Sequence, residues 1–208
     1  MSVTTTRHNQ LVDDLVALFL AEGFRHLTLA KIAKRLRCSK TTLYQLGHSK
    51  EQLTINAVIH FFRTASESVE RATATADAPA ERIVAYLRAV ADALRPASPA
   101  FMVDLAEHAV TRAMYERNTQ AAAQRVEQLV GEGIAGGAFR DVHGAFVADT
   151  VADTMRRIQI GKVLAATGLS DAQAYEQLAG LVLNGIRSRE RPTIARAPSG
   201  RTSPSLSI

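Results

Sequence analysis

Cysteine is nearly absent from this chain: Cys38 is the single thiol in 208 residues, so no intrachain disulfide can staple the fold. Cys38 occupies an apolar position within a predicted turn, where a buried, inert thiol is expected rather than a redox sensor. No apolar run approaches the ~20 residues that a membrane helix needs. The opening MSVTTTRHNQ has no apolar signal core. A cytoplasmic protein with no membrane partner is expected. The phosphate loop G-x-x-x-x-G-K-[ST], the dinucleotide fingerprint G-x-G-x-x-G and the zinc motif H-E-x-x-H are all missing. The six histidines, at 8, 26, 48, 60, 108 and 143, pair with no other His or Cys at metal-ligand spacing. No local arrangement suggests an activated nucleophile. These absences point away from an enzyme, a metal site or a bound cofactor.

What is present is helical patterning with unevenly placed charge. Residues 1–50 hold eight Lys/Arg against three acids, a net +5. Residues 51–186 hold 12 basic and 16 acidic side chains, a net −4, and residues 187–208 are basic again at +4. A basic segment alone is most often a solvated face. It gains meaning only where it coincides with a recognition motif.

Such a motif lies in TLAKIAKRLRCSKTTLYQLGHSKEQL, Thr28 to Leu53. Leu29, Ile32, Ala33 and Leu36 recur at i, i+3, i+4 and i+7, which predicts a short amphipathic helix with Thr28 as its N-cap. A second short helix is predicted from Ser39, another cap residue, through Gln45, with Leu43 and Leu46 facing inward. Gly47 would end it by adopting a left-handed conformation. Ser49 and Gln52 have capping-box spacing at the head of a third helix, from Lys50 to about Arg71. Two helices joined by a tight turn, the second short and rich in small polar groups, are how a helix-turn-helix reads DNA. Lys40, Thr41, Thr42 and Gln45 suit base edges or phosphates. Tyr44 offers a hydroxyl to a phosphate, Lys50 reaches the backbone, and His48 is a weaker candidate.

These residues resemble the DNA-binding region of the tetracycline-repressor (TetR) family of bacterial transcription regulators. The resemblance is carried by Leu18-Phe19, Gly23-Phe24, Thr28, Ile32-Ala33, Ser39, Thr42-Leu43-Tyr44, Ser49-Lys50-Glu51 and Leu53, in the right order and spacing. Two positions depart from the family pattern. Arg37 stands where the turn usually has glycine, and Gly47 stands where an aromatic usually closes the recognition helix. The rest of the chain is similar to the family only in length and helical layout. The resemblance implies a repressor released from a palindromic double-stranded DNA operator by a small-molecule effector. Its implied DNA-contacting set is Thr28, Ser39, Lys40, Thr41, Thr42, Tyr44, Gln45, His48 and Lys50.

The expected fold is all-α: a three-helix helix-turn-helix head over residues 1–49 and a helical ligand-binding and dimerisation bundle over 50–187. A helix from about Arg7 to Glu22, ended by Gly23, would complete the head, and residues 1–6 would fray. Helices are predicted from Pro79 to Leu94, from Ala100 to about Ala135 with breaks, over 145–167 and over 171–187. Ser170 and Gln173 form a capping box for the last one. The last two helices carry wide apolar faces, including Val151, Ile158, Tyr175, Leu178, Val182 and Ile186. These are the candidate surface for pairing with a second copy. Gly161, Gly180 and Gly185 would let backbones approach closely. In the family the body encloses a pocket between its long central helices. Here Phe61, Phe62, Tyr86, Phe101, Met102, Met114, Tyr115 and Met155, with Asp104, His108 and Gln159 among them, suit a mostly apolar pocket with a few orienting contacts. Each alone is as readily a core residue. Residues 188–208, rich in serine and proline, are expected to be a disordered tail. The reading from a different class is a helical protein- or membrane-surface interaction module with a basic head.

Overall fold

The computed structural model describes residues 3–187; the tail expected over 188–208 lies outside them. Among the described residues there are ten α-helices and one isolated β-bridge, between Phe139 and Arg187. They are α1 (Val3–Glu22), α2 (Leu29–Arg35), α3 (Lys40–Leu43), α4 (Lys50–Ala74) and α5 (Pro79–Leu94). Then follow α6 (Pro99–Glu107), α7 (Ala109–Ala135), α8 (Gly144–Gln159), α9 (Lys162–Thr167) and α10 (Asp171–Ile186).

Local chemistry sets most of these boundaries. Thr28, Ser39, Ser49, Ser98 and Ser170 each sit in extended backbone and accept a bond from an N–H in the first turn that follows. At Ser170 the reciprocal bond from Gln173 completes the capping box. At Ser49 only half of it forms, because Gln52 Nε2 donates to Asn56 Oδ1 at 2.9 Å instead of reaching back. Helix α1 begins at Val3 rather than Arg7; nothing in the threonine-rich start breaks a helix, and extending one costs far less than starting it. The helix expected over 145–167 is interrupted. Gly161, at φ +72°, turns the chain into the left-handed region and splits it into α8 and α9.

The apolar side chains gather in two clusters. The first joins Leu15 and Phe19 of α1, Ile32 of α2, Leu43 of α3 and Leu53, Ala57 and Phe61 of α4. It does not stop there: Phe101, Met102 and Leu105 of α6 belong to it. The second binds the far half of α4 to α5, α7, α8 and α10 through residues such as Ile83, Leu87, Leu129, Val151, Ile158 and Tyr175. The chain doubles back after α7, where Phe139 lies so close to Gly133 that a β-carbon there would meet its ring at 2.0 Å. Close approach was expected instead at Gly161, Gly180 and Gly185. Among the described residues, apart from chain neighbours and the helix's own backbone, nothing lies within 4 Å of a β-carbon built at any of the three.

Candidate nucleic-acid interface and body cavity

The turn between α2 and α3 is held by Cys38 N donating to the Ala33 carbonyl at 3.0 Å. That closure requires Arg37 at φ +50°, the left-handed conformation that glycine tolerates best. Arg37 therefore occupies a glycine-type position, at a cost of roughly 1–2 kcal/mol. Burial raises the pKa of the half-buried Cys38 thiol beside it. Gly47 behaves differently from expectation. Its backbone is not left-handed, so conformational freedom is not its use. A β-carbon there would lie 2.6 Å from Leu53 N, so glycine allows the end of the recognition segment to close directly onto α4. Asn56 Nδ2 fixes the same closure by donating to the Leu46 carbonyl at 2.6 Å.

This packing sorts the DNA candidates. Lys40, Thr41, Tyr44, Gln45 and His48 are exposed, Tyr44 at 42 % despite its ring. Thr42 is half-buried, its hydroxyl bonded to Ser39 Oγ at 2.8 Å. Thr28 and Ser39 serve as caps, accepting from Lys31 N and Thr42 N, so they set helix position. Lys50 is turned inward: its Nζ donates to the Arg25 carbonyl at 2.7 Å. Burial lowers its pKa, the Asp104 carboxylate offsetting part of that effect. Sequence reasoning placed Lys50 on a DNA phosphate because it weighed the charge and could not see the carbonyl. It also passed over Lys31, Lys34 and Arg37, which are exposed and have no ion pair among the described residues. Arg35, by contrast, pairs with Glu22 at 2.7 Å.

The body holds a cavity of about 210 Å³ between α4, α5, α7 and α8. Phe61, Phe62, Tyr86, Tyr115, Met155 and Gln159, all pocket candidates from the sequence, line it. Glu70, Asn118, Thr119 and Arg125 also line it and carried no signal in the sequence. Arg125 Nε donates to Glu70 at 3.1 Å, closing an ion pair at the rim. Tyr115 donates to Gln159 Oε1, and Gln159 Nε2 donates to the Tyr175 hydroxyl at 3.2 Å. Burial raises the pKa of both tyrosines, so both stay protonated at neutral pH.

Five pocket candidates are corrected. Phe101, Met102, Asp104, His108 and Met114 do not line this cavity, because α6 is packed into the head. The Phe101 ring meets Phe24 and Phe61 edge to face, at 6.1 and 5.8 Å. The His108 ring abuts Phe24, and Met114 packs on the same cluster. Met102 reaches only a smaller cavity of about 90 Å³, which Gln159, Tyr175 and Asp171 also line. Asp104 accepts from the backbone N–H groups of Phe24 and Arg25.

The candidate pairing face needs a similar adjustment. Val151, Ile158, Tyr175, Leu178 and Ile186 are buried within the protomer, because α8 and α10 pack on α5 and α7 with those side chains. Val182 lies half-buried at the edge of an open apolar groove along α8 and α10. The large apolar side chains of its lining that stay in solvent are Phe146, at 70 %, and Leu181, at 73 %.

No protein-family model and no curated protein matches the chain. Solved structures do. A TetR-family regulator from Cytophaga hutchinsonii superposes with a TM-score of 0.70 at 15 % identity, over 91 % of this chain and 99 % of that one. A TetR regulator from Chloroflexus aurantiacus gives 0.69 at 21 % identity, over 88 % and 97 %. AibR, solved in complex with isovaleryl coenzyme A and operator DNA, gives 0.60 at 22 % identity, over 84 % and 97 %. The chain has the fold of the TetR-family transcriptional regulators.

Proposed function

We propose that this chain is a homodimeric, sequence-specific DNA-binding regulator, a repressor released from a palindromic operator when a small, mostly apolar molecule enters the body. Residues 1–49 carry the DNA-reading elements and 50–187 carry the ligand cavity and the pairing face. The observation that bears most weight is the start of α3. Ser39 caps it, Lys40 and Thr41 are exposed on it and Tyr44 and Gln45 just after it, and Lys31, Lys34 and Arg37, with no ion pair among the described residues, lie on α2 and in the turn before it. Short donors at a helix start suit base edges in a major groove, with cations for the flanking phosphates. The solved complex of AibR with operator DNA and an acyl coenzyme A supports the reading by likeness of fold. No described helix is long and apolar enough to cross a membrane, which agrees with a cytoplasmic protein.

The lever is α4. It begins beneath the recognition segment at Lys50 and runs to the cavity wall at Phe61, Phe62 and Val69. A ligand that favours a different tilt of α4 would change the separation of two recognition helices, which must match successive major grooves about 34–36 Å apart. Coupling of this kind is typically about 1–3 kcal/mol and is reciprocal.

Selection of bound duplexes from a random library tests the reading directly. A two-fold symmetric site should emerge. If roughly 6–10 phosphates are neutralised, log K should fall against log salt with a slope of about −5 to −9. Lys40→Ala should reduce that slope by about 1. A protein with no preference among duplexes at moderate salt is not this regulator. If charge reversal at Lys40 only weakened a sequence-independent association, an interaction module with a basic head would be the better description.

A further inference from the structure

Gln159 is shared by two cavities of the body. It lines the chamber of about 210 Å³ and the one of about 90 Å³, and among the described residues Leu94 is the only other common to both. Its amide is gripped on both sides, by Tyr115 on one and Tyr175 on the other. Counting hydrogens shows that the arrangement is incomplete. The two phenols and the amide NH₂ supply four donors. Two are used: the Tyr115 hydroxyl on Gln159 Oε1, and one amide hydrogen on the Tyr175 oxygen. The Tyr175 hydroxyl hydrogen and the second amide hydrogen have no acceptor among the described residues. Turning the amide over exchanges the roles of the two tyrosines and leaves the Tyr115 hydrogen beside the Thr119 side chain; the second amide hydrogen is left over in either orientation. Tyr175 is 4 % exposed, so its hydroxyl meets solvent only through the smaller chamber, which is large enough to hold a water that a ligand would displace.

The charged groups around this cluster do not ask for an ion. In the larger chamber Arg125 is held by Glu70. In the smaller one Arg95 pairs with Asp92, while Asp171, an exposed residue with no ion pair among the described residues, has its carboxyl pKa raised by partial burial; it opposes an anion there and gains little from a cation. The remaining walls are mostly apolar, Phe61, Phe62, Val69 and Met155 among them, with Ser66, Asn118 and Thr119 as uncharged polar exceptions. Even taken together, the two chambers reach only the lower end of the about 300–1,000 Å³ usual for drug-sized ligands.

We infer that the effector is an uncharged molecule with a compact apolar body and a carbonyl-type oxygen, held by the surplus donors of the Tyr115–Gln159–Tyr175 chain at the junction of the two chambers. A carbonyl oxygen has two lone pairs and so takes both leftover donors at once. This inference rests on the proposed ligand-controlled function, but it concerns the binding site alone and is testable without DNA.

The probes are 2-octanone, octanoate and octylamine, which share an apolar chain and differ in the head group. Calorimetric titration into the full-length protein should show 2-octanone binding at least about tenfold more tightly than either charged probe. Gln159→Leu should remove that preference by weakening 2-octanone about tenfold, and Tyr175→Phe should remove part of it. Tyr175→Phe deletes only a hydroxyl, so it remains informative if Gln159→Leu proves poorly folded. Equal binding of the three probes, tighter binding of octanoate or octylamine, no binding of any, or undiminished 2-octanone affinity in both variants would each overturn the inference. A protein that selects a symmetric operator yet ignores 2-octanone keeps its proposed function and loses this effector class. One that binds 2-octanone with the expected preference and selects no DNA does the reverse.

Discussion

Asp104 Oδ2 accepts hydrogen bonds from Phe24 N at 2.6 Å and Arg25 N at 2.9 Å, so one carboxylate on α6 anchors the loop that joins α1 to α2. The same oxygen would lie 2.6 Å from a β-carbon at Gly23, whose φ of +77° already favours glycine. The helix end, the loop and the body helix are thus fitted to one another at a single point.

Asp104→Ala should therefore destabilise the protein by about 1–3 kcal/mol, because it leaves the partly buried Phe24 N–H without an acceptor and removes a second charge-assisted bond from the exposed Arg25 N–H. Asp104→Asn keeps one oxygen and should cost less. Chemical denaturation of the three proteins measures both. An Ala variant as stable as the parent would mean that water replaces the carboxylate freely.

Arg37→Gly should stabilise the chain by about 1 kcal/mol. The gain is the relief of a left-handed non-glycine residue, diminished by the extra freedom that glycine has when unfolded. Its effect on DNA should run the other way: the variant loses an exposed cation, so operator affinity should drop most at low salt. A melting temperature below that of the parent would contradict the strain assigned to the turn.

Tyr86 predicts a loss of stability in alkali. Its ring is buried and its hydroxyl donates to the Ala122 carbonyl at 3.4 Å. Burial, helped by the nearby Glu70 carboxylate, pushes its pKa up to about 12. In the unfolded chain the phenol titrates near ~10. The folded state thus holds the proton more tightly. That contribution is fully present below about pH 10 and is lost as pH rises through about 12. Tyr86→Phe should cost about 1 kcal/mol at neutral pH, the net worth of one hydrogen bond. The variant should then fall less steeply between those pH values. Parallel alkaline profiles for the two proteins would remove the assignment.

The groove along α8 and α10 makes a prediction about assembly. Leu181→Arg places a charge on a side chain that is 73 % exposed in the protomer, so folding should be unaffected while pairing is lost. Leu178→Arg, at a buried position, should unfold the body instead. Light scattering with circular dichroism separates the two effects. A parent protein that is monomeric at micromolar concentration would deny the groove this role.

Much of the head was legible in the sequence because its signals are local. The caps at Thr28, Ser39 and Ser49 act on the first turn that follows them, and the apolar spacing of Leu29, Ile32, Ala33 and Leu36 shows one face directly. The left-handed requirement at Arg37 followed from the place where a family pattern usually has glycine. What failed depended on partners distant in the chain. Phe101 and His108 have the composition of a pocket lining, and only the placement of α6 against Phe24 makes them head core. Gly47 looked like a helix terminator because its true reason, the passing backbone of Leu53, cannot be seen in neighbouring residues. On α8 and α10 the width of the apolar face was visible. Its division was not: Val151 and Ile158 go to the protomer core, while Phe146 and Leu181 stay in solvent.

The first cluster's reach into α6 bears on how this chain could be taken apart. Leu53 and Phe61 of α4, and Phe101, Met102 and Leu105 of α6, belong to the head's core although they follow residue 49. A hybrid made by grafting residues 1–49 onto a foreign body would lose those five side chains and expose the apolar surface they cover. The head, residues 1–49, is thus not a transplantable cassette. Swapping specificities between such proteins would have to proceed by exchanging the outward-facing residues of α3 in place.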